Sequence, residues 1–255
     1  MFRSFRILVL LLVLFTVALG NWLARARSTS WEHSLRMVVF PIDADGSPAT
    51  ARYIASLSRE TFAPIDAFMA SEAQRYGLAL RDPLDVDVAP PVTRLPPTVP
   101  HGGNPLQVVL WSLRLRYWAW VNAEYPGPTP QVRMFVLYHD PDRVSRLNHS
   151  LGLQKGLIGV VNAFAADAQA GPNNVIIAHE MLHTLGATDK YDPLTNYPLH
   201  PIGFAEPELA PVVPQRFAEI MGGRVPMSRA DARIPDDLDE VLIGAATALE
   251  IRWLQ

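Results

Sequence analysis

Between His179 and Asp192 the chain reads HEMLHTLGATDKYD, which sets two imidazoles and several carboxylates at fixed intervals. On a helix, His179 and His183 stand one turn apart on one face, so both can reach a single tetrahedral ion. Ile177, Ala178, Met181, Leu182 and Leu185 fall on other faces and suit a core. Glu180, beside the first histidine, can reach a metal-activated water without ligating the metal and can act as general base. Two histidines do not complete such a site; a third protein ligand is needed, with the fourth position left for water. Gly186 provides the route to it, because a glycine just past a helix takes the left-handed conformation that turns the chain back. Asp189 then approaches the metal from the opposite side. A chance HExxH in a chain of this composition arises on the order of once in a hundred, and requiring Gly186 and Asp189 lowers that by roughly a further few hundred.

Such a site needs a helix to present it and a core to hold the helix. Residues 175–185 carry helical spacing without a breaker, and Gly171-Pro172-Asn173-Asn174 ahead of them reads as a turn and a cap. Residues 157–161 (LIGVV) read as a strand just upstream, and as the sheet edge along which an extended peptide pairs. Further strands are predicted at 35–42, 84–88 and 132–138, and Asp43-Ala44-Asp45-Gly46 as a turn. Ser47-Pro48 opens a helical region that Pro64 is expected to kink or divide before Gly77. Residues 89–105 are too rich in proline and glycine for regular structure and form a loop. Residues 106–123 are apolar almost all round, which predicts a buried helix with Trp111, Trp118 and Trp120 as core. Residues 235–253 read as a closing helix. There is no internal repeat, and the fold class expected is a single α+β domain over 31–255 with a mixed sheet.

Composition narrows the chemistry. With 255 residues and 49% apolar content the chain can bury a sizeable core. A net charge of -3 gives no basic face for a polyanion, so nucleic acid is not expected as a partner. The absence of cysteine removes disulfides, thiolate metal sites and cysteine nucleophiles together. Any metal is therefore held by imidazole and carboxylate. Residues 1–27 place Arg3 and Arg6 before an apolar run at 7–19, with Trp22 as an interfacial anchor. This predicts a membrane anchor that exports the rest to the outer side of the inner membrane; cleavage near Ala24 and Ala26 would instead release it.

HEMLHTLGATD resembles the extended zinc motif of metzincin-type metallopeptidases, HExxHxxGxxH/D, in the form where aspartate replaces the third histidine. HTLGATDKYD is also similar to the corresponding stretch of immune inhibitor A type peptidases. The resemblance covers only the active helix and its exit. It implies a zincin-like fold with His179, His183 and Asp189 as zinc ligands, Glu180 as catalytic base, and a peptide or protein as substrate. It also implies a methionine turn beneath the zinc, for which Glu219-Ile220-Met221-Gly222-Gly223 offers Met221, with Met227 the alternative. The tyrosine that follows this turn in several metzincins has no counterpart here, since no tyrosine lies beyond Tyr197. Tyr191 and Tyr197 remain candidates for stabilising an oxyanion. Asp192 is a rival ligand or a calcium ligand. Glu206 and Glu208 are minor alternatives for the third ligand. A non-catalytic envelope protein on the same scaffold, and a zinc amidase acting on cell-wall peptides, are the competing functions.

Overall fold

The computed structural model describes Arg6, Ile7, Leu11, Leu12, Phe15 and residues 28–100, 104–154 and 156–254. Apart from those first five residues, the expected membrane segment at 1–27 lies outside the described residues. No helix among the described residues is long and apolar enough to cross a membrane.

Strand β1 (Leu35–Asp43) is lined by β-branched and aromatic residues and turns through Asp43, whose Oδ1 accepts from the Asp45 and Gly46 amides. Helix α1 (Pro48–Ser56) follows, with Ser47 as its cap: Oγ accepts from the Thr50 amide at 3.0 Å, and Pro48 sits where no amide is needed. Helix α2 (Arg59–Arg75) continues unbroken through Pro64, so the division falls instead at Leu57-Ser58. Ser58 and Thr61 cap α2 reciprocally. Pro64 and Glu60 are on the exposed side, where water can satisfy the carbonyl the proline leaves free.

Strand β2 (Leu84–Val88), helix α3 (Pro105–Asn122), strand β3 (Val132–His139), the short β4 (Leu151–Leu153) and β5 (Ile158–Phe164) complete the main sheet. Its order is β2-β1-β3-β5-β4, with every pair parallel except β4 on β5. The structure is thus α+β with a mixed sheet. It corrects one expectation: the strand at 157–161 is internal, paired on both sides, and the edge is Leu151–Leu153. β5 is buried over most of its length, whereas β4 is half-buried and only three residues long, too short for a periodicity to show in sequence.

Alternation along the strands divides the core. Met37, Val39, Val132, Met134 and Val136 face α1, α2 and helix α4 (Ala170–Leu185). Val38, Phe40, Phe135 and Ile158 face the other way, toward Trp118 and Ala119 of α3. Helix α3 is not the buried helix expected from its composition. Only Trp111, Leu115 and Ala119 are buried, one stripe at four-residue spacing; Trp118 packs edge-on against Phe135 at 4.8 Å, and Trp120 is 77% exposed. A helix lying alone on one sheet face offers a single stripe to it, whatever its other faces carry.

After α4 come β6 (Ala218–Glu219), β7 (Val225–Pro226), β8 (Ala232–Arg233), β9 (Val241–Leu242) and helix α5 (Ala245–Glu250). The closing helix is therefore shorter than expected from 235–253. A 3-10 turn at Leu238–Glu240 and the β9 pairing with β6 occupy its first half, and a Cβ on Gly244 would collide with Glu219 Cγ. Trp31, at the start of the domain, donates from Nε1 to the Ile251 carbonyl at 2.7 Å and packs edge-on against Trp253, fastening the two ends together.

Edge strand β4 lies directly on α4. A Cβ at Gly152 would collide with the Glu180 carbonyl oxygen and His183 Cβ. Gly152→Ala is expected to lower unfolding free energy by about 1–3 kcal/mol, since neither backbone can yield; a denaturant titration of the variant against wild type measures it.

Candidate metal centre

Helix α4 begins at Ala170, so Asn173 and Asn174 are inside its first turns rather than forming a turn and cap ahead of it. Pro172 is tolerated there because the first amides of a helix have no intrahelical partner. The asparagine side chains act sideways. Asn173 Oδ1 accepts from the Phe164 amide at 3.1 Å and its Nδ2 donates to the Phe164 carbonyl at 2.9 Å, clasping α4 to the end of β5. Asn174 Nδ2 donates to the Thr61 carbonyl of α2 at 2.8 Å. The helix ends at Gly186, with φ 110° in the left-handed region; the Gly186 and Ala187 amides both donate to the Leu182 carbonyl.

His179 and His183 project from one face with ring centroids 4.6 Å apart. His179 Nδ1 donates to the Ile220 carbonyl and His183 Nδ1 to the Ala187 carbonyl, each at 2.8 Å. A carbonyl can only accept, so both Nδ1 atoms carry the proton and, in the neutral rings, both Nε2 atoms present lone pairs. Asp189 Oδ1 lies 3.2 Å from His179 Nε2 and 3.1 Å from His183 Nε2. Ligands about 2.0–2.2 Å from a tetrahedral ion stand roughly 3.3–3.6 Å apart, so Asp189 Oδ1 stands from each imidazole at close to the spacing of one coordination sphere. Three electron-pair donors converging on one point repel unless a positive charge sits among them, and with no thiolate present the donor set suits zinc. The ligand atoms of His179, Glu180 and His183 also lie within 4.8 Å of one another. Asp189 makes the better third ligand, because its oxygen stands at contact distance from both imidazoles at once.

The electrostatics separate the two carboxylates. Burial pushes the Glu180 carboxyl up, against the pull of both imidazoles and a hydrogen bond from the Gly152 amide. Its Oε2 is buried without a hydrogen-bond partner among the described residues. Asp189 is held well below the usual carboxylate range: burial works against it, but His179 and His183, where they carry charge, outweigh burial. For His183, burial is likewise overcome, by Asp189 and the Ala187 carbonyl, and its pKa rises. Tyr191 lines the same cleft, its hydroxyl pushed up to about 12 by burial and by Asp189.

The turn below the site holds the ligands through consecutive carbonyls. That of Ile220 takes the His179 proton, and that of Met221 accepts from the Lys190 amide at 2.9 Å, next to Asp189. Met221 is fully buried, whereas Met227 is 39% exposed. Two supports were not anticipated from sequence. Glu219 is fully buried and accepts from Thr247 Oγ1 at 2.6 Å and from the Gly244 and Gly222 amides at 3.0 and 2.8 Å. Lys190, also buried, donates to the Thr188 carbonyl at 2.9 Å and to Glu250 Oε2 at 2.7 Å, tying the Asp189 loop to α5. The only sequence signal for Glu219 is a charge inside an otherwise apolar and glycine-rich turn; Lys190 carries none beyond its position next to Asp189.

The other candidates lie elsewhere. Tyr197 donates from its hydroxyl to the Ser228 carbonyl at 2.6 Å. Asp192 Oδ1 accepts from the Leu194 and Thr195 amides within its own turn. Glu206 is paired with Arg216, and Glu208 lines a separate pocket with His200. No protein-family model matches the chain, and no curated protein matches it either.

Glu219→Gln brings an amide N–H against at least one of three donors, so it is expected to cost about 1–3 kcal/mol by denaturant unfolding. Glu250 has an ordinary value of 4.5; burial raises it, but Lys190 and Thr188 lower it further. A depressed folded value stabilises above the unfolded pKa and is lost as pH falls through the folded one. The stability advantage of wild type over Glu250→Gln is therefore full above about pH 5 and shrinks as acid is added, measured by thermal unfolding across pH.

Proposed function

We propose that the chain is a zinc-dependent metallopeptidase of metzincin type with a zincin-like catalytic domain, hydrolysing peptide bonds outside the cytoplasm. The observation that carries this reading is the approach of His179 Nε2 and His183 Nε2 to Asp189 Oδ1 at 3.2 and 3.1 Å, beside a buried Glu180 whose Oε2 has no partner among the described residues. Four parallel strands with one short antiparallel edge strand laid on the histidine-bearing helix support the scaffold assignment. When bound, zinc supplies Lewis acidity, polarising a carbonyl oxygen and easing the loss of a proton from water.

The residues divide the remaining work. Glu180, with its proton affinity raised by burial, takes a proton from the attacking water as the water oxygen adds to the carbonyl carbon. It returns that proton to the amine nitrogen as the C–N bond breaks. Tyr191 stays protonated at neutral pH and can donate to the oxygen on which negative charge develops. An extended substrate can pair with the open side of Leu151–Leu153, which lies between β5 and solvent. A purely binding role would leave the isolated Glu180 oxygen as a cost without a use, since a buried, unpaired acceptor destabilises by about 1–3 kcal/mol. Residues 1–27 are proposed as the anchor that places the domain outside the membrane.

Glu180→Gln in the full chain is expected to retain about one zinc per chain by metal analysis while hydrolysis of a peptide library falls by about 10²–10⁴-fold. Asp189→Ala is expected to lose the metal. Zinc-loaded wild type that cleaves nothing in the library would sink the peptidase reading.

A further inference from the structure

Helix α3 carries an apolar face that nothing in the fold uses. At about 100° per residue, Leu106, Leu110, Leu113, Tyr117, Trp120 and Val121 fall within about 60° of a line opposite the buried Trp111–Leu115–Ala119 stripe. All six are exposed, Tyr117 to 68%. The neighbouring loop extends the patch: Leu95 and Val99 are exposed on either side of Pro97, whose carbonyl accepts from Trp111 Nε1 at 2.9 Å. An apolar surface of this extent marks a docking site.

The charges on the helix select the partner. Arg114 and Arg116 flank the apolar stripe, one on each side, and α3 contains no acidic residue. Neither guanidinium has an ion-pair or hydrogen-bond partner among the described residues; Arg114 is exposed, and Arg116 is half-buried with its Nε covered. An apolar wedge bordered by arginines, with tyrosine and tryptophan on it, is the pattern of a helix lying in the headgroup boundary of an anionic bilayer. A second copy pairing through this face would bring arginine flanks toward arginine flanks. The amino-terminal segment of the chain is no better matched, since its charged residues are Arg3, Arg6, Arg25 and Arg27.

The path of the chain agrees. Ser28, where the segment containing the apolar run joins the domain, lines one cavity with Gly156, and a Cβ on Gly156 would lie 3.6 Å from Arg116 Nε. The first residue of the domain therefore lies on the side of the arginine-bearing helix. Helix α4 packs on the opposite face of the sheet, so contact through α3 leaves the cleft of His179 and Glu180 open to water.

We propose that α3 is an in-plane membrane contact, its outward apolar stripe seated in the headgroup region of anionic phospholipid, with Arg114 and Arg116 against the phosphates. This rests on the proposed anchoring of residues 1–27, and the two can fail separately. Because the chain has no cysteine, Leu113→Cys, Trp120→Cys and, as a distant control, Leu194→Cys each give one attachment point for an environment-sensitive fluorophore. Leu194 is 92% exposed, so none of the three substitutions touches the core. The labelled full chains are reconstituted into phosphatidylethanolamine–phosphatidylglycerol vesicles. Labels at 113 and 120 are expected to shift to the blue and to be quenched several-fold more by nitroxide lipids than the label at 194. Adding Arg114→Glu and Arg116→Glu to the labelled chains is expected to reduce that quenching. Chains that float with the vesicles while iodide quenches all three labels alike overturn the α3 contact and leave the anchor standing. Labels shielded from iodide but untouched by nitroxide lipids mean that protein covers the face, which also overturns it. A chain that does not float overturns both.

Discussion

Two imidazole nitrogens and a carboxylate oxygen have to be held around one point although all three are electron-pair donors that repel. The repulsion is countered by fixing the far side of each ligand. Both Nδ1 atoms are tied to backbone carbonyls, which sets the tautomer and the ring plane together. One of those carbonyls belongs to Ile220, whose turn is held by the fully buried Glu219 through Thr247, Gly244 and Gly222. Asp189 has no comparable bond of its own, and its position descends from Gly186 at one end and Lys190 at the other. The lysine is anchored to the Met221 carbonyl through its amide and to Glu250 through its side chain. The short strands and the six-residue helix at the end of the chain, which look incidental in a topology diagram, are the outer supports of the candidate centre.

What could be read from sequence follows from which constraints are local. His179 and His183 share one helical face, with Glu180 beside the first, because of backbone geometry alone, and Gly186 ends the helix because only glycine takes φ 110° at little cost. Strands β1, β2 and β3 announce themselves through residue type. The candidate third ligand follows from the turn, and the Ile220-Met221 turn was found through a family resemblance rather than through its chemistry. The supports were not legible, because they are long-range: Glu219 meets Thr247 across 28 positions, and Lys190 meets Glu250 across 60. The same reason hid β4. Three half-buried residues carry no periodic signal, and the meaning of Gly152 emerges only when α4 is packed against it.

Helix α3 shows a different limit. Hydrophobic composition reports how much apolar surface an element has and says nothing of how many neighbours will cover it. Residues 106–123 are apolar all round, which in an average domain means burial on every side. Here the sheet face beneath α3 accepts one stripe, and Trp118 on Phe135 closes that contact. The error is informative because it runs one way: an expected core residue found at the surface, as Trp120 is, is a demand for a partner.

The two carboxylates of the site show how one helix and its exit can place the same functional group in opposite environments. Glu180 and Asp189 both stand near His179 and His183, so proximity to positive charge does not distinguish them. Burial does part of the work: Glu180 is 7% exposed, which favours its proton-carrying form, while Asp189 is far more open. The imidazoles do the rest, because both Nε2 atoms lie within 3.2 Å of Asp189 Oδ1 while Glu180 Oε2 is buried without a partner among the described residues. The first environment suits a group that must gain and lose a proton; the second suits a group that must stay charged. Exchanging the two environments would require moving Glu180 out of the cover of β4, where Gly152 lies close against the Glu180 carbonyl and His183 Cβ.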